Sequence, residues 1–291
     1  MRSAPGLLVV MSVASAQSGS AVARTLFGDL GPAGVLTWRM GFAALVFAVV
    51  VRPPVWTWTS AAWRAAVLLG VFAAGLTMLS YLALRIAPQG IVVTASFAGP
   101  LVLALVQTRR VSDLLWALTA AGGVALLGLR AGADVPAAGL LLALAAGVCG
   151  AGYIVFSARL GGAGSGVGGL AVSFAVAALL VLPFGFGGAV RAFGESRLLG
   201  GAVIVALLAG VIPYTLEMIA LRRLPTRIFG VLMSLQPAGA AVAGLLILGQ
   251  RLGPLPIVAL TLVSLAGFAL VRGGYDAPSA HSRRTDSSPQ V

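Results

Sequence analysis

Residues 64–86 read RAAVLLGVFAAGLTMLSYLALRI, with no charged side chain between Arg64 and Arg85. A helix rises about 1.5 Å per residue, so roughly 20 such residues cross the hydrocarbon core of a bilayer. The arginines at the two ends sit where lipid headgroups would begin. Similar stretches of about 17 to 24 residues recur along the rest of the chain. Together they give predicted spans at 5–27, 33–51, 64–86, 90–107, 113–129, 137–158, 167–190, 199–220, 226–248 and 254–271. The expectation is an all-α polytopic membrane protein of ten transmembrane helices.

Composition points the same way. Charged residues make up 9% of the chain against 59% hydrophobic, and mean hydropathy is +1.05. A soluble domain carries about 25% charge. Ten crossings in 291 residues leave no room for a folded soluble domain. Cys149 is the single cysteine, so no intrachain disulfide can form, and His281, the single histidine, lies in a polar tail. A multi-ligand Cys/His metal centre is therefore excluded, and neither a metal nor any other cofactor is expected. All 19 basic residues are arginine, against seven acids, for a net charge of +12. They are dispersed over many loops, as orientation signals are, rather than gathered into a nucleic-acid-binding stripe. The expected partners are membrane lipid and a small-molecule substrate, with no nucleic acid; the sequence leaves room for a homodimer.

Arg2 followed by Gly6 to Ala16, ending in Ala14-Ser15-Ala16, resembles a secretory signal and its cleavage site. Apolar and small residues continue to Phe27, however, and an even number of crossings needs this helix. With the N-terminus inside, twelve arginines fall on the cytoplasmic side and six on the other, while Arg39 lies within a span. The excess predicts a multi-pass protein of the cytoplasmic (inner) membrane with both termini in the cytoplasm.

Ala83-Leu84-Arg85-Ile86-Ala87-Pro88 returns as Ala220-Leu221-Arg222-Arg223-Leu224-Pro225, an offset of 137, and at the same offset Pro100 matches Pro237. The reading is two five-helix halves, 1–130 and 137–272, followed by a disordered cytoplasmic tail at 273–291. Five is odd, so the second half enters the membrane from the opposite face. Inverted repeats of this kind suit alternating access about a midplane site; chance likeness between apolar helices is the alternative. Between the halves, Gly164, Gly166 and Gly169 satisfy G-x-G-x-x-G in form. That motif requires a preceding buried strand, and here an apolar helix ends in Ala158-Arg159, so 161–169 reads as a linker.

Polar groups inside hydrocarbon are costly and therefore mark candidate functional positions. The first span carries Gln17, Ser18 and Ser20, and the second carries Arg39, whose guanidinium can hold a carboxylate with two parallel hydrogen bonds. The alternative for Arg39 is snorkelling, or pairing with Asp29 near the outer face. Glu217 is the only acid in the interior of a predicted span, Asp113 standing at the very start of the fifth. A carboxyl there can carry a proton across, or simply pair with Arg222 and Arg223 at the inner end. Pro100 and Pro237 break helices four and nine near Ser96 and Gln236, either lining a cavity or acting as inert packing kinks. Tyr153 and Tyr214 can add a hydroxyl or an aromatic wall, while Gly41, Ala44, Gly147 and Gly150 suit close helix packing.

Ser15-Ala16-Gln17-Ser18-Gly19, Gly99-Pro100 and the run from Pro213-Tyr214-Thr215-Leu216-Glu217 through Arg223-Leu224-Pro225-Thr226-Arg227 to Leu232-Met233-Ser234 resemble the EamA family of the drug/metabolite transporter superfamily. Within it they resemble the threonine/homoserine exporter branch. The likeness covers nearly all of 1–272. It implies a ten-helix inner-membrane exporter with inverted repeats that moves small metabolites by proton antiport. The chain departs from the branch where glutamates precede the prolines of helices four and nine; Ser96 and Gln236 stand there. A Gly-Glu pair after helix nine is Gly249-Gln250. Neutral residues release no protons, so coupling would fall on Glu217 or on the substrate.

The resulting expectation is a secondary transporter exporting amino acids such as threonine or homoserine. Arg39 would hold the carboxylate, Gln17, Ser96 and Gln236 the amine or hydroxyl, with Ser18 and Tyr214 nearby and Glu217 coupling protons. The alternatives are another cargo (a drug, a purine or a sugar-related metabolite) or a passive channel. An enzyme is not expected, since H-E-x-x-H and paired intramembrane aspartates are absent.

Overall fold

The computed structural model describes residues 5–107, 111–128, 136–162, 168–221, 223–224 and 226–273. The predicted tail and most of the glycine-rich linker lie outside the described residues. So do several of the arginines used to predict orientation. Within the described residues the chain is all-helical, with no strand.

The helices are α1 (Pro5–Thr25), α2 (Phe27–Val51), α3 (Ser60–Ile86), α4 (Gln89–Ser96), α5 (Ala98–Gln107), α6 (Val111–Gly128) and α7 (Ala137–Gly162). They continue with α8 (Gly168–Arg191), α9 (Ser196–Val205), α10 (Ile212–Leu221), α11 (Thr226–Met233), α12 (Gln236–Leu248) and α13 (Pro254–Gly273). Six stretches are continuous helices long and apolar enough to cross a bilayer: 5–25, 27–51, 60–86, 137–161, 168–194 and 196–220. Shorter apolar helices lie at 89–103, 114–126, 236–248 and 254–269. Large apolar side chains face outward, with Phe184 78% and Leu246 76% exposed. Such surface is stable against lipid and would drive aggregation in water. The chain is a multi-pass membrane protein.

Apolar burial supplies little driving force between helices already in lipid, so close backbone approach must hold them together. The α2–α8 seam does this with glycine. A Cβ added to Gly34 would lie 2.9 Å from the Cα of Gly188, and the indole Nε1 of Trp38 donates to the Ala189 carbonyl at 3.0 Å across the seam. At the start of α2, Gly31 adopts φ +69°, a conformation that suits glycine, and Pro32 follows at the first turn of the regular helix. The kink separates the turn at 27–30 from the regular helix that carries the span predicted at 33–51.

The fourth and ninth spans are each interrupted just before their proline. Phe97 separates α4 from α5, and Ser234-Leu235 separates α11 from α12. Proline has no N–H to offer the carbonyl four residues back, and its ring crowds that carbonyl. The carbonyl released by Pro100 is that of Ser96, and Gly147 on α7 packs against it; a Cβ on Gly147 would lie 2.5 Å from this oxygen. Gly99 packs equally closely on the Gly147 carbonyl. Gly99→Ala is therefore expected to lower unfolding free energy by about 2 kcal/mol or more, since backbone on both sides blocks relaxation. Gly122→Ala on α6, where a Cβ meets nothing within 4 Å, is the near-neutral control. Thermal unfolding in detergent measures both.

Helices before residue 129 pack extensively on helices after residue 136. In particular α2 lies on α8, α3 on α7, α1 on α10 and α12, and α4 on α12. These pairings enclose the polar residues described next.

Candidate substrate-binding site

The eighth apolar span is not uniform helix. Residues 206–211 form a π-helical turn between α9 and α10, in which the Ile212 N–H bonds to the Leu207 carbonyl five residues back. Pro213 accounts for it: the missing N–H and bulky ring strain a regular turn, and widening the preceding turn relieves the clash. Two residues of α1 fit this turn. The Ser15 hydroxyl donates to the Leu208 carbonyl at 2.7 Å. Gly19 allows contact so close that a Cβ would stand 2.6 Å from the Ala209 nitrogen. Gly210, in the same turn, lies against Arg39 of α2.

Beyond the turn, Tyr214 and Glu217 are three residues apart and share one face of α10. Tyr214 is close enough to Arg39, Tyr153 and Glu217 to interact with each, and Phe174 meets its ring edge-on at 4.8 Å. Arg39 Nη1 donates to the Tyr81 hydroxyl at 3.2 Å, and its guanidinium carbon stands 5.7 Å from the centre of that ring. Tyr81 is 1% exposed and is packed by Phe27. Arg39, Tyr153, Tyr214 and Glu217 each keep part of their surface accessible although all lie within helices of the bundle. Arg39 Nε is enclosed with no hydrogen-bond partner. The fully buried Ser12 hydroxyl donates to Glu217 Oε1 at 2.7 Å, and lies 3.2 Å from the Pro213 carbonyl. The cluster thus places a cation and a carboxylate around three phenol rings.

Four of the sequence-predicted residues, Arg39, Tyr153, Tyr214 and Glu217, are brought together here. Pairing of Arg39 with Asp29 does not form. Asp29 sits at the protein surface, bound to Arg197 at 3.0 Å, beside a shallow cavity of about 390 Å³ that Arg191 and Glu195 also line. Among the described residues no basic side chain forms a salt bridge with Glu217; Arg222 lies outside them. The other candidates have local partners. Gln17 is buried and bonded to Gln89, Ser96 donates to the Val93 carbonyl at 3.0 Å, and the Gln236 amide contacts the Met233 sulfur at 3.2 Å. Ser18 is half-buried on α1. Pro237 is buried at the first turn of α12, and Pro100 is half-buried in α5.

Tyr81 and Ser12 were not among the predicted residues. A phenol in an apolar span is a signal of the same kind as Tyr153, so Tyr81 was legible; a lone serine in a small-residue helix is not. No group of three or more metal-ligating side chains occurs among the described residues.

Comparison with known proteins assigns the fold and the family. Residues 137–273 match the EamA-like transporter family. The threonine/homoserine exporter RhtA of Escherichia coli K12 is 38% identical over 267 residues, covering 90% of this chain and 89% of that protein. The exporter of the same name from Salmonella typhimurium LT2 is equally similar, at 38% over the same coverage. A solved crystal structure aligns with a TM-score of 0.58 at 19% identity, covering 93% of this chain and 98% of the other, a likeness of fold alone. With identity at this level across nine-tenths of its length, and helices that cross a membrane many times, the chain belongs to the EamA-like transporter family, on the threonine/homoserine exporter branch, and is a transporter rather than an enzyme.

Proposed function

We propose that the protein exports a small zwitterionic amino acid across the cytoplasmic membrane, threonine or homoserine first, by alternating access between two inverted five-helix halves. Both termini face the cytoplasm in this reading, and ten crossings form from the six long helices together with the broken and shorter ones. The helix fragments support the repeat. α4 at 89–96 and α11 at 226–233 are offset by the same 137 residues as the Ala-Leu-Arg motif and the two prolines. Interrupted helices meeting near the midplane are where carriers of this architecture bind their cargo.

The observation that carries the reading is Arg39. Among the described residues no carboxylate pairs with it; it is held by the Tyr81 hydroxyl and leaves Nε without a partner. An uncompensated guanidinium inside a protein is costly, and a substrate carboxylate would relieve that cost with two charge-assisted hydrogen bonds. Glu217, on the far side of Tyr214, would couple the step to proton movement. The substrate amine or hydroxyl would be met by the tyrosines and, as the halves rock, by Gln17, Ser18, Ser96 and Gln236.

Counterflow in proteoliposomes tests this. Unlabelled threonine or homoserine trapped inside is expected to accelerate entry of the labelled amino acid about tenfold or more, as obligatory exchange requires. A passive channel gives no acceleration, and acceleration only by purines or sugars would reassign the cargo.

A further inference from the structure

Three glutamines from α1, from α4 and from the turn after α12 form a separate polar chain away from Arg39. Gln89 opens α4 directly after Pro88 and is 0% exposed. Its Nε2 donates to the Gln17 backbone carbonyl at 2.8 Å and lies 3.1 Å from Gln17 Oε1. Its backbone N–H donates to Gln250 Oε1 at 2.9 Å. Gln250 is aimed back by Gly249, which caps α12 at φ +64°. The surrounding seams are built from small residues. A Cβ on Gly90 would lie 3.3 Å from Ala241, and one on Gly239 would lie 2.9 Å from Val13 and 3.4 Å from Gln17. Arg24 Nη1 donates to the Ala87 carbonyl at 2.8 Å, fastening the α3–α4 turn to the end of α1.

The corresponding fragments at the other end are arranged differently. α5 packs on α6, α7 and α13, and α11 on α1, α10 and α13; among the described residues no seam as extensive as α4–α12 joins α5 to α11. Among the described residues one pair of half-helices is closed together more extensively than its repeat-related pair.

We propose that Gln17, Gln89 and Gln250 form the seal of one mouth of the transporter, at the end where α4 begins and α12 ends, and that the structure captures this mouth shut. Neutral amides suit the task. Each such hydrogen bond is modest in net strength, whereas an ion pair in the same dry place would be slow to part. Gln89 Oε1 has no partner. An unmet buried acceptor raises the energy of the shut state and keeps the seal from becoming permanent. The seal does not depend on the identity of the cargo.

The test reads access to a buried position directly. Val13 is 5% exposed and lies one turn from Gln17 on the same face of α1, against Gly239. Val13→Cys is placed in a Cys149→Ser background, and a membrane-impermeant maleimide is applied to sealed right-side-out and inside-out vesicles. With the three glutamines intact, labelling is expected to be slow. Gln89→Ala and Gln250→Ala should each raise the initial rate about two- to tenfold, from the face that bears Gln250. Gln250→Glu keeps an acceptor for the Gln89 N–H and should stay slow. Arg251→Cys, on the exposed loop beside Gln250, identifies that face, so a reversed membrane orientation does not pass for failure of the seal. Gln250 lies outside the helices, so its alanine variant remains testable even where Gln89→Ala fails to fold. Equal rates in all variants, or a rise from the opposite face, would overturn the proposal.

Discussion

Arg39→Gln is expected to cut export by about thirtyfold or more, while protein level and helical content stay at those of the unmodified chain. The magnitude follows from what the guanidinium would do. Truncating one partner of a desolvated charge pair costs about 2–5 kcal/mol, and each 1.4 kcal/mol is a factor of ten. Stability separates a binding role from a structural one. Arg39 has no carboxylate partner among the described residues and an orphaned Nε, so replacing it with a neutral side chain removes a burden instead of a brace. Thermal unfolding of Arg39→Gln should be unchanged or raised. Arg39→Lys keeps the charge but cannot form the parallel pair and should recover only a small part of the activity. Tyr81→Phe leaves Arg39 in place without its hydroxyl partner at 3.2 Å, and should weaken apparent affinity about tenfold. Counterflow of labelled threonine measures each variant, and an Arg39→Gln protein that exchanges normally rejects the assignment.

How far the chain could be read depends on the range of each interaction. The uncharged run of 65–84 is a local property, and the helix it predicts was found as α3 within a few residues of the expected ends. Pro100 and Pro237 announced breaks, and the interruptions fall upstream of them because proline disturbs the turn before it. Pro213 was equally visible, yet its effect is a π turn, and that outcome rests on Ser15 and Gly19 of a helix nearly two hundred residues away. The contact between Ser12 and Glu217 spans 205 positions, which no periodicity reveals. Polarity within a span also does not tell where a side chain points. Ser96 and Gln17 were expected around a substrate; in this arrangement Ser96 donates to a backbone carbonyl of its own helix and Gln17 meets Gln89. Gln89 fell between two predicted spans and so escaped the rule that polar groups in hydrocarbon are functional candidates.

Glu217→Gln is expected to separate exchange from coupling. Glutamine is nearly isosteric and keeps an acceptor for the Ser12 hydroxyl, which lies 2.7 Å from Oε1, so the packing of α1 on α10 should survive. What it cannot do is bind and release a proton. If Glu217 is the coupling group, uptake into inside-out vesicles driven by an acid interior should fall about tenfold or more, to the level seen without a gradient. Counterflow at fixed pH, which needs no net proton movement, should stay within about twofold of the unmodified protein and become indifferent to pH. Glu217→Asp shortens the reach by one methylene but retains the ionisable group, and should keep part of the gradient-driven uptake. Loss of counterflow together with coupling would mean that the carboxylate contacts the cargo or balances Arg39 across Tyr214. Full gradient-driven uptake in Glu217→Gln would remove Glu217 from coupling and leave the substrate's own ionisable groups to carry the proton.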